Sequence, residues 1–559
     1  MDHFIWLLPA LPLLSAGLIA GPGRAWGRRV GRLSVAFAVL AFLSAVGLLV
    51  LALYGAPTRI HSLGATWGSL LFDPLGVLMA TLIVGISLLV RVYSLRYMVE
   101  EPGYRRFFLL LDLMTAVLLV MVTAGDLITL LVAWHLVGVL LYFLLGQDLK
   151  SAAAHRYAFW TFFTYRLGDL PLVLAAVLLF QHFGTWSLPV LFDALAAQPD
   201  ATTHFGLPLA DVVAGLIALA AFARSAQFLM HTWLPYTMEG PTPVSALMHA
   251  GIVNAGGFLI NRFAPVFVHT GGVLHWMFIV GLVTAVVGSV LMLTQNDIKK
   301  SLGYSTMGQM GFMIMETGVG AFSLAVYHLI AHGLFKGTLF LGAGSVIGDA
   351  RRHDAVPKDP LYTFFFHREP GAVRRSWLSM AAVTVAVPIV VLVAVHWLVA
   401  ENFFENQGAV VLLFFGWMAG AQLLFSAYRT RSESPLRLFT LIVLSFAIVV
   451  VGYTVVSHAF DLFLYPDPAF RAGIYRAAGI SLAWFDVLVA LMAAVIVLGW
   501  VRTYYAERTP RGGDDRPGFL WMNFYALISR EFYVADLYAW VGRQILALSA
   551  RLNALLRWT

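Results

Sequence analysis

His328, His332 and Lys336 follow one another at intervals of four residues, so an α-helix carries all three along one face. Imidazole titrates nearest neutral pH, and desolvation brings an amine towards it, so such a stripe can pass protons through side chains and trapped water. Three polar groups satisfied separately by neighbouring helices would give the same spacing. A zinc site is disfavoured, because no glutamate follows His328 in the His-Glu-x-x-His manner. Asp112, His135, Arg166, Asp169, Arg224 and His249 extend the series, each within or at the end of an apolar run. An ionisable group at bilayer depth costs about 2.5–3.5 kcal/mol on insertion scales, and such groups face the bundle interior and mark ion or proton paths.

The elements that position these residues are membrane helices. The chain of 559 residues is 60% hydrophobic and 12% charged, whereas a soluble average carries about 25% charge. A soluble enzyme, a disordered tail and a disulfide scaffold are excluded. The absence of cysteine removes disulfides, thiolate metal sites and iron–sulfur clusters together.

Apolar runs of roughly 17–25 residues recur about fifteen times, which predicts an all-α polytopic bundle. They lie near 4–21, 33–54, 70–92, 107–124, 127–147, 158–182, 208–231, 243–262, 272–294, 301–319, 321–347, 376–400, 408–427, 437–457 and 480–503. The first is read as a retained helix rather than a signal peptide, since no small-residue cleavage pattern follows it.

The net charge of +7 falls in short clusters between spans and is a topology signal, not a nucleic-acid footprint. Arg24, Arg28, Arg29 and Arg32 follow the first span, Arg96, Arg105 and Arg106 the third, Lys150 and Arg156 the fifth, Lys299 and Lys300 the ninth. Their parity agrees, and it places the N-terminus outside and the C-terminus in the cytoplasm.

Pro235, Pro241 and Pro243 come soon after Arg224 and predict a broken or kinked helix there. Irregular backbone at membrane depth is tolerated where protein or a water-filled cavity surrounds it, as at transporter ion sites. An ordinary loop would account for the prolines, though not for Arg224 upstream. Residues 508–559 read as an interfacial or lateral helix after a polar connector. The basic connector 348–375 is a solvated linker or a docking site for a soluble partner.

The strings FDPLGVLM, RSAQFLMHTWLPYTMEGPTPVSALMHA, NDIKKSLGYSTMGQMGFM and AVYHLIAHGLFKGTLFLGAGSVI closely resemble the antiporter-like membrane subunits of respiratory complex I and of multisubunit cation/proton antiporters. The resemblance covers roughly residues 70–347, with a weaker echo in FYVADLY. It implies inverted helical repeats with broken helices around a polar axis. It divides the chain into N-terminal spans (1–69), a proton-translocation core (70–347), the connector (348–375), divergent spans (376–507) and the C-terminal helix (508–559). It also implies that the family's mid-membrane histidine is His249, its paired histidines His328 and His332, and the following lysine Lys336. The family's Arg-x-Gly-Asp falls on Arg166 to Asp169.

Two central positions depart from the family. His135 follows Trp134 where a glutamate is usual, and Arg224 stands where a lysine is usual. Arginine stays protonated, so Arg224 can position anions or set a field but cannot carry a proton. Titration in the first half-channel then shifts to His135, Asp112 or His249. The family's later Gly-Phe-x-Ser-Lys stretch is missing too, and the span around Pro388 offers His396 and no lysine.

These departures and the length resemble the DabB-type subunits of bacterial DAB inorganic-carbon accumulation complexes. That resemblance implies a multi-pass subunit of the bacterial inner membrane, not itself an enzyme, which conducts a cation, with H⁺ the expected one. The cation flux would energise a cytoplasmic DabA-like partner resembling a zinc β-carbonic anhydrase, which would hydrate CO₂ to bicarbonate. Zinc is expected in the partner, and no metal or cofactor in this chain. The competing expectations are an antiporter subunit of a complex I-like or Mrp-like assembly, and a non-conducting membrane anchor.

Overall fold

The computed structural model describes residues 4–62, 64, 67–295, 297–352, 455–456, 458–479, 494, 498 and 519–557. Nearly all of the last four expected spans and most of the 348–375 connector lie outside these residues, as does His396.

The eleven expected spans before residue 348 each coincide with a helix or a broken pair of helices. These are α1 (Leu7–Ala20), α2 (Arg29–Leu53), α3 (Pro74–Tyr97), α4 (Tyr104–Val122), α5 (Leu127–Leu145) and α6 (Ala152–Phe183). After the short α7 (Leu188–Ala197) come α8 (Leu209–Arg224), α9 (Thr242–Ala250), α10 (Ala255–Arg262) and the single turn α11 (Ala264–Phe267). Then follow α12 (Gly271–Leu293), α13 (Ile298–Gly318) and α14 (Phe322–Arg352). Seven of the described helices or broken pairs are long and apolar enough to cross a membrane. Exposed Leu43, Leu89, Val132, Phe159, Leu170 and Ile279 belong to a belt of apolar side chains on the outer surface, as lipid requires.

Short polar residues fix where helices start. Asp73, Asp126, Ser151 and Asp297 each accept a backbone N–H of the first turn of α3, α5, α6 and α13. Asp126 also takes the backbone N–H and the hydroxyl of Ser69. It thereby ties α5 to an antiparallel ribbon of β1 (Arg59–Ser62) and β2 (Ser69–Phe72), in which Arg59 faces Phe72. The ribbon departs from the purely helical expectation. The run assigned to a span from residue 70 begins as a strand, and the helix starts only after Asp73.

The helix breaks lie away from the prolines that announced them. α8 stops at Arg224, eleven residues before the short 3-10 turn that opens at Pro235; Pro241 and Pro243 then begin α9. Between them the chain turns through positive φ at Ala226 (48°) and Leu229 (74°). The freed backbone groups are satisfied locally: Trp233 Nε1 donates to the Ala223 carbonyl at 3.1 Å, and the Phe228 N–H to Thr284 Oγ1 at 2.9 Å. A second break, from Gly251 to Asn254, separates α9 from α10. Ser225 Oγ donates across to the Val253 carbonyl at 2.8 Å, so the two breaks are joined.

Helix approach is set by small residues. A Cβ on Gly288 of α12 would lie 2.5 Å from the Gly308 nitrogen of α13, and one on Gly168 of α6 would lie 2.6 Å from the Ala223 Cβ of α8. The second contact brings Asp169 and Arg224 together.

Towards the C-terminus, α15 (Pro468–Ala478) packs on α12. α16 (Phe519–Ser529) and α17 (Val534–Leu556) are separated by Glu531, Phe532 and Tyr533 in the left-handed region. Phe532 packs on Phe228, Tyr538 packs on Trp160 and donates to the Leu229 carbonyl, and Tyr236 donates to Glu531. The start of α17 thus lies laterally against α6 and the first break.

Candidate functional site

The site residues fall into three groups. In the first, Asp112 of α4 accepts from Ser15 Oγ at 2.5 Å, from Ser34 Oγ at 2.6 Å and from Arg91 Nη2 at 2.6 Å. Arg91 also donates to Thr115, the Leu111 carbonyl and Ser87. Both charges are 1% exposed. Asp112 is therefore a fixed, fully bonded anion that locks α1 to α4, and it does not meet His135 or His249. Arg91 was passed over in the sequence, although an arginine inside the 70–92 run was signal enough.

The second group centres on Asp169 of α6. Its carboxylate accepts from Arg166 Nη2 at 2.8 Å and from Arg224 Nη2 at 3.3 Å, and it lies 3.1 Å from His135 Nδ1. Arg166 also reaches His135 Nε2 at 2.9 Å. Arg224 is wholly buried, with its guanidinium carbon 4.5 Å from the Trp134 ring centre and 4.1 Å from that of Tyr165. It donates to the Trp134 carbonyl as well. His135, in contrast, is half-exposed at the bundle surface.

The third group lies among α9, α13 and α14. His249 Nδ1 is 3.1 Å from Thr306 Oγ1, and its ring stacks on Phe340 at 4.3 Å. The spacing on α14 does form one file: the His328 and His332 rings lie 6.4 Å apart, and Lys336 Nζ donates to the Leu302 carbonyl at 3.4 Å. His249, His332 and Lys336 are within electrostatic range of one another. Among the described residues, neither nitrogen of buried His332 has a hydrogen-bond partner, nor has Nε2 of His249. Buried polar atoms of this kind call for bridging water.

At the far end of the file, the sequence reading missed Glu316. It is 1% exposed, and its two carboxylate oxygens lie 3.0 and 3.1 Å from His328 Nδ1. Gln309 Oε1 is 2.8 Å from the other ring nitrogen. Glu316 was visible as an acid inside the apolar run 301–319, but its partner is on the next helix. His231, in the first break, is likewise buried, and neither of its nitrogens has a hydrogen-bond partner among the described residues. A further buried pair, Arg262 with Asp73 at 2.7 Å, ties α10 to the start of α3. Among the described residues no three His, Asp or Glu side chains gather so as to hold a metal ion.

The second and third groups adjoin through the joined breaks, since Arg224 precedes Ser225 and Val253 follows His249 by one helical turn.

Comparison with known proteins places this architecture. The sequence profile of the family described as NADH:quinone oxidoreductase/Mrp antiporter, transmembrane region, matches residues 124–421, and that of the complex I chain 5 N-terminus matches residues 59–108. The chain is 60% identical to the "Probable inorganic carbon transporter subunit DabB1" of Halothiobacillus neapolitanus, over the full length of both. It is 34% identical to the chloroplastic NAD(P)H-quinone oxidoreductase subunit 5 of Piper cenocladum, over 62% of this chain and 48% of that one, so it spans about half of that relative's length. The Mrp complex of Dietzia sp. shares the fold, with a TM-score of 0.59 and 24% identity, covering 99% of this chain and 60% of that one. The chain belongs to the complex I/Mrp antiporter-like membrane subunits and, within them, to the DabB-type subunits of inorganic carbon transporters.

Proposed function

We propose that the chain conducts protons across the bacterial inner membrane, N-terminus outside, to drive inorganic-carbon accumulation by a cytoplasmic partner. The partner, a DabA-like zinc protein of the carbonic-anhydrase type, hydrates CO₂, and the proton flux makes bicarbonate production one-directional. The observation that carries this reading is the file Glu316, His328, His332 and Lys336, which continues to His249. It consists of titratable groups at successive depths, with unpartnered imidazole nitrogens between them.

Depth follows from helix geometry. His328 and Lys336 lie about 9 and 21 Å along α14 from Phe322 at 1.5 Å per residue, and Glu316 sits two residues from the end of α13. In the orientation given by the basic loops, Glu316 and His328 form the outer limb, and Lys336 and His249 the centre. Glu316 thus stands at the outer mouth of the path, where protons enter.

Arg224 and the sealed Arg91–Asp112 pair do not carry protons in this scheme; they hold the field and the packing. The second reading, cation/proton antiport in a complex I-like assembly, draws on the profile match over residues 124–421. The third, a non-conducting anchor, draws on the fixed charge at Arg224.

The test is bicarbonate accumulation by cells that express the chain with its natural partner. Lys336→Ala and His328→Ala should abolish accumulation while both proteins still co-purify; normal accumulation in both variants contradicts proton conduction through the file and favours the anchor.

A further inference from the structure

The Asp169 group carries more positive charge than it can pair. Arg166 and Arg224 both keep their protons, and Asp169 is the one carboxylate that either reaches in an ion pair among the described residues. His135, the third group on that carboxylate, adds no negative charge.

The hydrogen-bond inventory is unbalanced in the same direction. Arg224 Nε and Nη1, Arg166 Nε and the Trp134 indole N–H are all buried, and none has a hydrogen-bond partner among the described residues. All four are donors. The rings of Trp134 and Tyr165 stabilise the Arg224 cation through their faces, and the C-terminal end of α8 helps electrostatically. The Tyr165 hydroxyl, which interacts with Arg224, is a single neutral acceptor; it cannot serve the remaining donors and leaves the charge uncompensated. Water would satisfy the donors and leave the charge; one small anion satisfies both.

We propose that the unpaired donors of Arg224, Arg166 and Trp134 together bind a small monovalent oxyanion of the size of hydrogencarbonate. This goes beyond proton conduction and uses none of the residues of the α14 file. It gives the arginine at position 224 a task that a neutralisable lysine would perform poorly, because the anion would be released whenever the amine lost its proton.

The test uses the purified complex of the full chain with its partner, in lipid nanodiscs and a gluconate buffer. Sodium hydrogencarbonate, nitrate or chloride is titrated in while the thermal unfolding midpoint and the ¹³C linewidth of labelled hydrogencarbonate are followed. Hydrogencarbonate and nitrate should raise the midpoint in a saturable way, and chloride more weakly. Arg224→Gln should weaken binding at least about tenfold, as loss of a charge-assisted donor implies. Hydrogencarbonate held by the partner would persist in Arg224→Gln, so an unchanged titration in that variant overturns the proposal, as does the absence of any anion effect in the wild type. If Arg224→Gln does not assemble, Trp134→Phe decides: it keeps the ring and removes the N–H, and it should weaken binding several-fold, whereas wild-type affinity there contradicts the site.

Discussion

Acidic residues buried to the same degree play opposite parts. Asp112 is saturated by Arg91 and two serines, while among the described residues the Glu316 carboxylate meets an imidazole and no cationic arginine or lysine. Breaking a buried ion pair on one side costs about 3–5 kcal/mol, because a bare charge is left behind. Arg91→Met should therefore lower the thermal stability of the solubilised complex sharply, and Arg91→Met with Asp112→Leu should recover most of it. If the double variant is no better than the single, the pair is not the lock described. For Glu316→Gln the expectation is reversed: the amide still bonds His328, so stability stays near wild type while proton flux falls at least about tenfold, the low end of a positioned acid–base contribution. Flux and pH dependence identical to wild type would remove Glu316 from the path.

At the scale of elements, hydropathy and spacing made the eleven spans before residue 348 legible, and the four-residue rhythm on α14 gave its polar face correctly. The breaks were less legible. Prolines marked the neighbourhood, but α8 ends at Arg224, where Trp233 Nε1 takes the Ala223 carbonyl and Thr284 of α12 accepts the Phe228 N–H. Partners such as Glu316 for His328, or Arg91 for Asp112, were not readable either, since pairing between helices leaves no local pattern. The contact of Gly168 with Ala223 is another such long-range fact. Gly168→Ala should cost about 1–3 kcal/mol by overpacking, with Ala223→Gly restoring stability in the same chain. Wild-type melting of Gly168→Ala would show that α6 and α8 are not held at that distance.

For the whole molecule, topology is the first requirement, because the order of stations means outward or inward only once the sides are known. The chain has no cysteine, so single cysteines report sidedness without background. Asp200→Cys, in the segment between α7 and α8, should react with a membrane-impermeant maleimide in intact cells, and Lys150→Cys only after permeabilisation. The opposite pattern would invert the orientation and exchange the two limbs of the path. The amphipathic α17, exposed from Arg543 onward, then lies on the cytoplasmic side, where a soluble partner would meet the membrane.

Proton entry into vesicles containing the purified complex, driven by an imposed pH difference and read by an internal dye, tests the path itself. Wild-type complex should acidify the lumen well above the rate of protein-free vesicles, and His332→Ala, which interrupts the file at its unpartnered imidazole, should bring the rate down to that background. Acidification at the wild-type rate in assembled His332→Ala complex would contradict passage of protons along α14.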